Sequence, residues 1–254
     1  MYQTISYEVA GGVAVLTLNR PAVMNALSSA MRLELLDAMG RAVADARVVV
    51  LTGTGRAFCS GQELVDLGDV DIEAALRDEY EPLLRAISDC PVPVVAAVNG
   101  AAAGAGANLA LACDVVIACE SASFIQAFTR IGLIPDAGGT YWLPRQIGMA
   151  RAMGAALFAE KVTATQAAAW GMIWEAVPDA SFDAHWRGRA AALAAGPTLA
   201  YRGVKQAMRA SFDNDLATQL ALEARLQGNC GRTDDFREGV AAFLGKRVAS
   251  FTGT

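Results

Sequence analysis

Histidine is almost missing from this chain: His185 is the only one in 254 residues. A Ser-His-Asp triad would have to be built on it. It sits in His185-Trp186-Arg187, on a stretch that reads as a charged, solvated helix face, which speaks against that use. Cysteine is scarce and unpatterned. The five (59, 90, 113, 119 and 230) are odd in number and contain no CxxC pair. No disulfide framework or zinc site follows, and reduced thiols in a cytoplasm are the expectation. Basic residues are outnumbered, 21 Lys and Arg against 26 Asp and Glu, for a net charge of −5. That excludes a general nucleic-acid binder, which needs a basic face, but leaves room for a local basic site.

Long uninterrupted apolar runs are also lacking. The longest apolar stretch, Val92 to Cys119, is opened by Pro91 and Pro93 and broken by Asn99, Asn108 and Asp114. A spanning helix wants about 20 strongly apolar residues, so this reads as buried core and no membrane partner is expected. Met1 to Ala10 carries Glu8 and no basic n-region, so it does not read as a signal peptide. Gly100, Gly104 and Gly106 do not fit G-x-G-x-x-G, no Walker A motif is present, and no metal-ligand cluster is visible. Neither a nucleotide cofactor nor a metal is expected.

What the chain does have is apolar mass: hydrophobic residues make up 54 % and charged residues 19 %. That suffices for a large core in one domain, or one domain with a small appendage. Tyr7 to Leu18 reads as two strands around Gly11-Gly12. Ser28 to Ala44 reads as a helix with Met31, Leu35, Ala38, Met39 and Ala42 on its apolar face and Ser28 or Ser29 as cap. Arg47 to Leu51 reads as a buried strand, Ala57 to Leu67 as a loop entering a helix, and Ile72 to Ser88 as a helix stopped by Pro91 and Pro93. Val94 to Val98 reads as a strand, 99–106 as a small-residue turn, Ala107 to Ala112 as a helix and Val115 to Ala118 as a strand. The alternation predicts an α/β fold. From Arg145 onward the pattern is helical: 149–158, 165–170, 182–195, 198–212, 215–229 and 234–243. A boundary at Gly196-Pro197 divides a core, 1–195, from a helical region, 196–254.

Three glycine-containing loops follow predicted strands: 58–64, 99–106 and 132–140. A helix starting after such a loop offers free N–H groups and its positive dipole end to an anionic oxygen. Tight turns alone are the competing reading. Asp136 stands among Leu133, Ile134 and Pro135. Burial there would raise its pKa and make it a competent base; it would equally serve to cap the helix after Gly138-Gly139. Both readings remain open at this level.

The segments Leu18-Asn19-Arg20-Pro21, Asn25-Ala26-Leu27, Phe58 to Leu64, Pro93 to Gly100, Asn108-Leu109-Ala110, Cys113-Asp114, Gly138-Gly139-Thr140, Leu143-Pro144-Arg145, Arg237-Glu238-Gly239 and Phe243 to Arg247 occur in one order over nearly the whole chain. Together they resemble the enoyl-CoA hydratase/isomerase (crotonase) superfamily. The resemblance implies a ClpP/crotonase fold of repeated ββα units, with acyl-CoA site in 1–195. It implies that the helical region 196–254 serves oligomerisation and covering of CoA, in a homotrimer or homohexamer. An acyl-CoA thioester is then the substrate, and no cofactor is implied beyond the CoA it carries.

By position the resemblance assigns a backbone oxyanion hole to the N–H groups of Gln62 and Ala105, where Ala105 replaces the more usual Gly. Ala26, Ser60, Gln62, Glu63 and Leu64 match segments that hold CoA, and Lys246 matches a basic residue that meets its phosphates, often from a neighbouring subunit. Members that add water use two glutamates; Asn108 and Phe128 occupy those positions here. Asp136 occupies the position of the isomerases' carboxylate. Asn108, Phe128 and Ile131 are expected to line the acyl pocket, and Phe124 and Leu133 would suit a ring as well as they would suit a core. The runs 123–128, 132–140 and 170–174 and the ending Phe251-Thr252-Gly253 resemble those family members that convert the ring-1,2-epoxide of phenylacetyl-CoA to an oxepin and shift 3-enoyl-CoA to 2-enoyl-CoA. A fatty-acid Δ3,Δ2-enoyl-CoA isomerase, a chloroaromatic acyl-CoA dehalogenase and a silent acyl-CoA binder are the rivals. The dehalogenase would need a histidine, and His185 lies far along the chain from these loops.

Overall fold

The computed structural model describes residues 2–63 and 71–254. Strands β1 (Ile5–Ala10) and β2 (Val13–Leu18) form the expected hairpin, its tight turn made by Gly11 and Gly12 at positive φ. Helix α1 (Ser29–Asp45) follows, capped by the Ser28 side chain, which accepts from the Met31 N–H. It buries the predicted apolar face and, unexpectedly, Arg32. Strands β3 (Val48–Gly53) and β4 (Ala57–Cys59) come next, so the predicted loop at 57 begins as a fully buried strand. The predicted helix over 72–88 is present as α2 (Ile72–Ala75), a π-turn (Leu76–Tyr80) and α3 (Glu81–Ser88).

Strands β5 (Val94–Val98) and β6 (Ala101–Ala103) lead into α4 (Ala105–Leu111). The expected turn at 99–106 therefore contains a strand, and the helix starts two residues earlier than predicted. Strands β7 (Val115–Cys119) and β8 (Ser123–Ile125) are followed by a 3-10 turn (Ala127–Ile131) and α5 (Gly139–Phe158), which Gly148 interrupts at φ 75°. The helix predicted from Met149 is the second half of α5. The region predicted to be helical throughout also contains β9 (Val162–Thr163) and β10 (Glu175–Val177). Helices α6 (Ala164–Trp170), α7 (Asp179–Ala194), α8 (Thr198–Ala210), α9 (Leu216–Cys230) and α10 (Asp234–Leu244) complete the chain.

The strands divide between two sheets. One runs β1-β2-β3-β5-β7-β10, antiparallel at its first pair and parallel beyond; the other runs β4-β6-β8-β9. The pairs β3/β4, β5/β6 and β7/β8 each send one strand to each sheet before the chain moves on. Each circuit of the chain thus adds one parallel neighbour per sheet, which is the repeated ββα arrangement. Val48 to Leu51 and Val94 to Val98 are buried on both faces, as central parallel strands require. Among the described residues no helix is long and apolar enough to cross a membrane.

Candidate active site

A cavity of about 240 Å³ opens where the ends of the smaller sheet meet the turn after β8. It is lined by Ser60, Gly61 and Gln62 after β4, by Gly104 and Ala105 after β6, by Phe128, Ile131 and Leu133 near the 3-10 turn, by Asp136, and by Leu76 and Tyr80 of the π-turn. Successive strands of one sheet deliver these loops to the same edge, so residues over 70 positions apart become neighbours.

Two residues that line this space, Gln62 and Ala105, have main-chain surroundings with traceable causes. Leu27 and Gln62 form an isolated parallel bridge, in which Leu27 donates to the Gly61 carbonyl at 2.8 Å and accepts from the Glu63 N–H at 3.2 Å. The bridge consumes the groups on either side of Gln62, so the Gln62 N–H points away from Leu27, and Gln62 itself lines the cavity. Gly61 permits this with φ 98° and lies so close to the next loop that a Cβ would stand 2.8 Å from the Ala103 carbonyl oxygen. Ala105 is the first residue of α4, where an N–H has no partner within the helix. Gly104 at φ 52° and ψ −129° turns the chain into that helix, a conformation open only to glycine, and the Phe128 ring packs over it.

Asp136 is the sole carboxylate among the described residues that line the cavity. Its Oδ1 is buried and has no hydrogen-bond partner. Burial pushes the carboxyl up to about 6, against a smaller opposing pull from its own backbone N–H. The capping reading fails: the N-cap of α5 is Gly138, with no side-chain cap. The Asp136 backbone is fixed instead. Its carbonyl accepts from the Gly139 N–H at 2.8 Å and from Asn108 Nδ2 at 2.7 Å, and Ala137 and Gly138 take positive φ in succession to complete the turn. Asn108 Oδ1 accepts from Gln126 Nε2 at 2.8 Å.

Of the residues singled out in the sequence, Ser60, Gln62, Ala105, Phe128, Ile131 and Asp136 meet at this cavity. Asn108 does not line it; it is fully buried beneath the Asp136 turn with both ends of its amide engaged. Phe124 belongs to the core. Glu63 and Ala26 lie alongside rather than within the cavity, joined by Arg20, which pairs with both Glu63 oxygens and donates to the Ala26 carbonyl. That guanidinium holds the Glu63 carboxyl below its usual range. Lys246 is exposed beyond the end of α10 and does not line the cavity of the single chain. Leu64 lies outside the described residues. His185 pairs with Glu175 at 2.8 Å, also away from the cavity. Tyr80 and Leu76, unremarked in the sequence, form one cavity wall. Tyr80 carries a hydroxyl whose pKa burial raises.

Comparison with known proteins covers the whole chain. The enoyl-CoA hydratase/isomerase family model matches residues 8–254. A "Probable enoyl-CoA hydratase" of Rhodobacter capsulatus is 66 % identical over 99 % of both chains. The "1,2-epoxyphenylacetyl-CoA isomerase" of Escherichia coli K12 is 45 % identical over 100 % of both. Among solved structures, an enoyl-CoA hydratase/isomerase from Mycobacterium abscessus superposes with a TM-score of 0.93 at 38 % identity, covering 98 % of this chain and 100 % of that one. An enoyl-CoA hydratase from Streptomyces coelicolor A3(2) superposes with a TM-score of 0.94 at 35 % identity, covering 100 % and 96 %.

Proposed function

This chain belongs to the enoyl-CoA hydratase/isomerase family, and from that membership we propose that it is a cofactor-free acyl-CoA isomerase with one acid/base, Asp136. The observation that carries the reading is a partly desolvated carboxylate, the one that the described residues bring to the cavity, with Gln62 and Ala105 lining the same space. A thioester carbonyl bound by two such donors becomes enolate-like when a neighbouring proton leaves. Stabilising that oxygen is worth about 3–4 kcal/mol per donor.

Asp136 takes the proton from the carbon beside the thioester, and its carboxyl then returns the same proton to a carbon farther along the conjugated system. With a 3-enoyl-CoA, the removed C2 proton returns at C4 and the double bond moves to the 2,3 position. With the ring epoxide of phenylacetyl-CoA, the same relocation accompanies expansion to the oxepin. A pKa near 6 suits both halves of this exchange close to neutral pH. Phe128, Ile131, Leu133 and Leu76 supply an apolar wall against which an enolate is sheltered from water.

The name of the Rhodobacter capsulatus relative points towards hydration. Adding water calls for a second proton-carrying group, and Asn108 and Phe128 cannot act as one. The likeness to the Escherichia coli isomerase supports the ring-epoxide substrate; a fatty 3-enoyl-CoA is the second substrate class. The exposed Leu216, Phe243, Leu244 and Val248 support assembly into a homotrimer or homohexamer.

The test is an assay with a 3-enoyl-CoA, followed by the ring-epoxide CoA ester, on wild type and Asp136→Asn. Formation of the conjugated 2-enoyl thioester by wild type and its loss in the variant is the expected result. Binding of both esters by wild type without turnover would overturn the reading in favour of a silent binder.

A further inference from the structure

Arg32 is 3 % exposed in the first turn of α1. A buried guanidinium is costly unless its N–H groups are used and its charge is met. Nη1 donates to the Leu27 carbonyl at 2.8 Å and to Gln62 Oε1 at 2.8 Å; Nε and Nη2 pair with Glu79 at 2.9 and 2.6 Å. The guanidinium carbon lies 4.6 Å from the centroid of the Tyr80 ring, and the Tyr80 hydroxyl donates to the same Gln62 Oε1. Arg32 itself does not line the cavity.

These contacts converge on one peptide. Gln62 Oε1 receives two donors. The Leu27 carbonyl receives Arg32 and the Glu63 N–H, and the Leu27 N–H holds the Gly61 carbonyl. The segment 61–63 is thereby pinned before, at and after the Gln62 N–H. A buried ion pair contributes little net stability over apolar groups of equal size. What this fork does supply is direction, because its planar donors reach both sides of the Leu27–Gln62 bridge at once.

We propose that Arg32, together with the Tyr80 hydroxyl, is a positioning element that aims the Gln62 N–H at the substrate carbonyl; this rests on the reading of that N–H as an oxyanion donor. Three variants separate the parts. Gln62→Met keeps the backbone donor and removes Oε1. Tyr80→Phe keeps the ring and removes the hydroxyl. Arg32→Lys keeps the charge and removes the fork.

Each is assayed for kcat and KM with a 3-enoyl-CoA and for thermal unfolding. The infrared carbonyl stretch of a bound 2-enoyl-CoA, carbon-13-labelled at the thioester, is also recorded. Misaiming one donor by a fraction of its reach lowers kcat about 10- to 100-fold with KM within about threefold. The carbonyl stretch, which packing alone would not move, shifts back towards its solution frequency. The double variant Tyr80→Phe/Gln62→Met should be no worse than Gln62→Met, since both act through Oε1.

Folded Gln62→Met and Tyr80→Phe proteins with wild-type kcat and an unshifted stretch would overturn the proposal, even if Arg32→Lys fails to fold. A wild-type protein that binds the ester and leaves its carbonyl at the solution frequency would instead bring down the oxyanion reading itself.

Discussion

The Asn108 side chain donates to the main-chain carbonyl of Asp136 at 2.7 Å and leaves the Asp136 carboxyl untouched. Asp136 is held by its backbone while its carboxyl Oδ1 is left without a hydrogen-bond partner. Four properties of the protein follow from this arrangement and its surroundings.

Asp136→Asn should preserve the fold and acyl-CoA binding, because the amide occupies the same space. It should lower isomerisation by about 10³-fold, within the span general acid–base groups supply. In wild type, kcat/KM should fall as pH drops through about 6, where the proposed base takes up a proton. A pH–rate profile flat across that region would show that another group is the base.

The same carboxyl has a consequence for stability. Its folded pKa of about 6 exceeds the ordinary 3.8. Between these values the folded protein binds more protons than the unfolded chain, so stability falls as pH rises through the window and stays lower above it. Asp136→Asn should therefore melt above wild type at neutral pH, with the gap closing below pH 3.8. Differential scanning calorimetry at the two pH values measures the gap; one that grows on acidification would reverse the sign.

Asn108→Ala should cost about 2–3 kcal/mol, since it leaves the Gln126 amide short of an acceptor and the Asp136 carbonyl short of a donor inside the core. Because the turn carrying the acid loses its brace, kcat should fall with it. Urea unfolding beside steady-state kinetics checks both, and a loss of stability with unaltered kcat would reduce Asn108 to a packing residue.

Gly61→Ala should be harmful, because the neighbouring loop leaves no room for a methyl. The added Cβ stands 2.8 Å from the Ala103 oxygen, on a backbone at φ 98°. Relief must come from rotating the Gln62 peptide, and losing that donor lowers kcat about 10²-fold. Binding of a CoA ester by calorimetry, compared with kcat, distinguishes a lost donor from a lost site.

Much of this was readable from residues alone, and the exceptions have physical causes. The first hairpin, the Ser28-capped helix and the strands at 48–53, 94–98 and 115–119 announce themselves by alternation or by β-branched runs. Ala101 to Ala103 does not, because alanine has little strand preference and glycines flank it; the run becomes a strand through pairing with β4 and β8. Glu175 to Val177 is too short to show a period and is made a strand by its neighbour β7. The two readings of Asp136 could not be separated locally, since its burial depends on distant elements such as the π-turn at Leu76–Tyr80, which lines the same cavity. Arg32 carried a usable signal: it sits at helical spacing with Leu35, Met39 and Ala42 on the buried face. Its partners Gln62 and Glu79 lie 30 and 47 positions away, beyond any local pattern.

The proposed carbonyl donors and the proposed acid come from different circuits of the chain: Gln62 follows β4, Ala105 follows β6, and Asp136 follows β8. On the proposed reading, activation and outcome are therefore carried by separate loops. Replacing the stretch between β8 and α5 should then change the proton chemistry while leaving the proposed carbonyl donors in place. The frame behaves like a tool handle that accepts different bits.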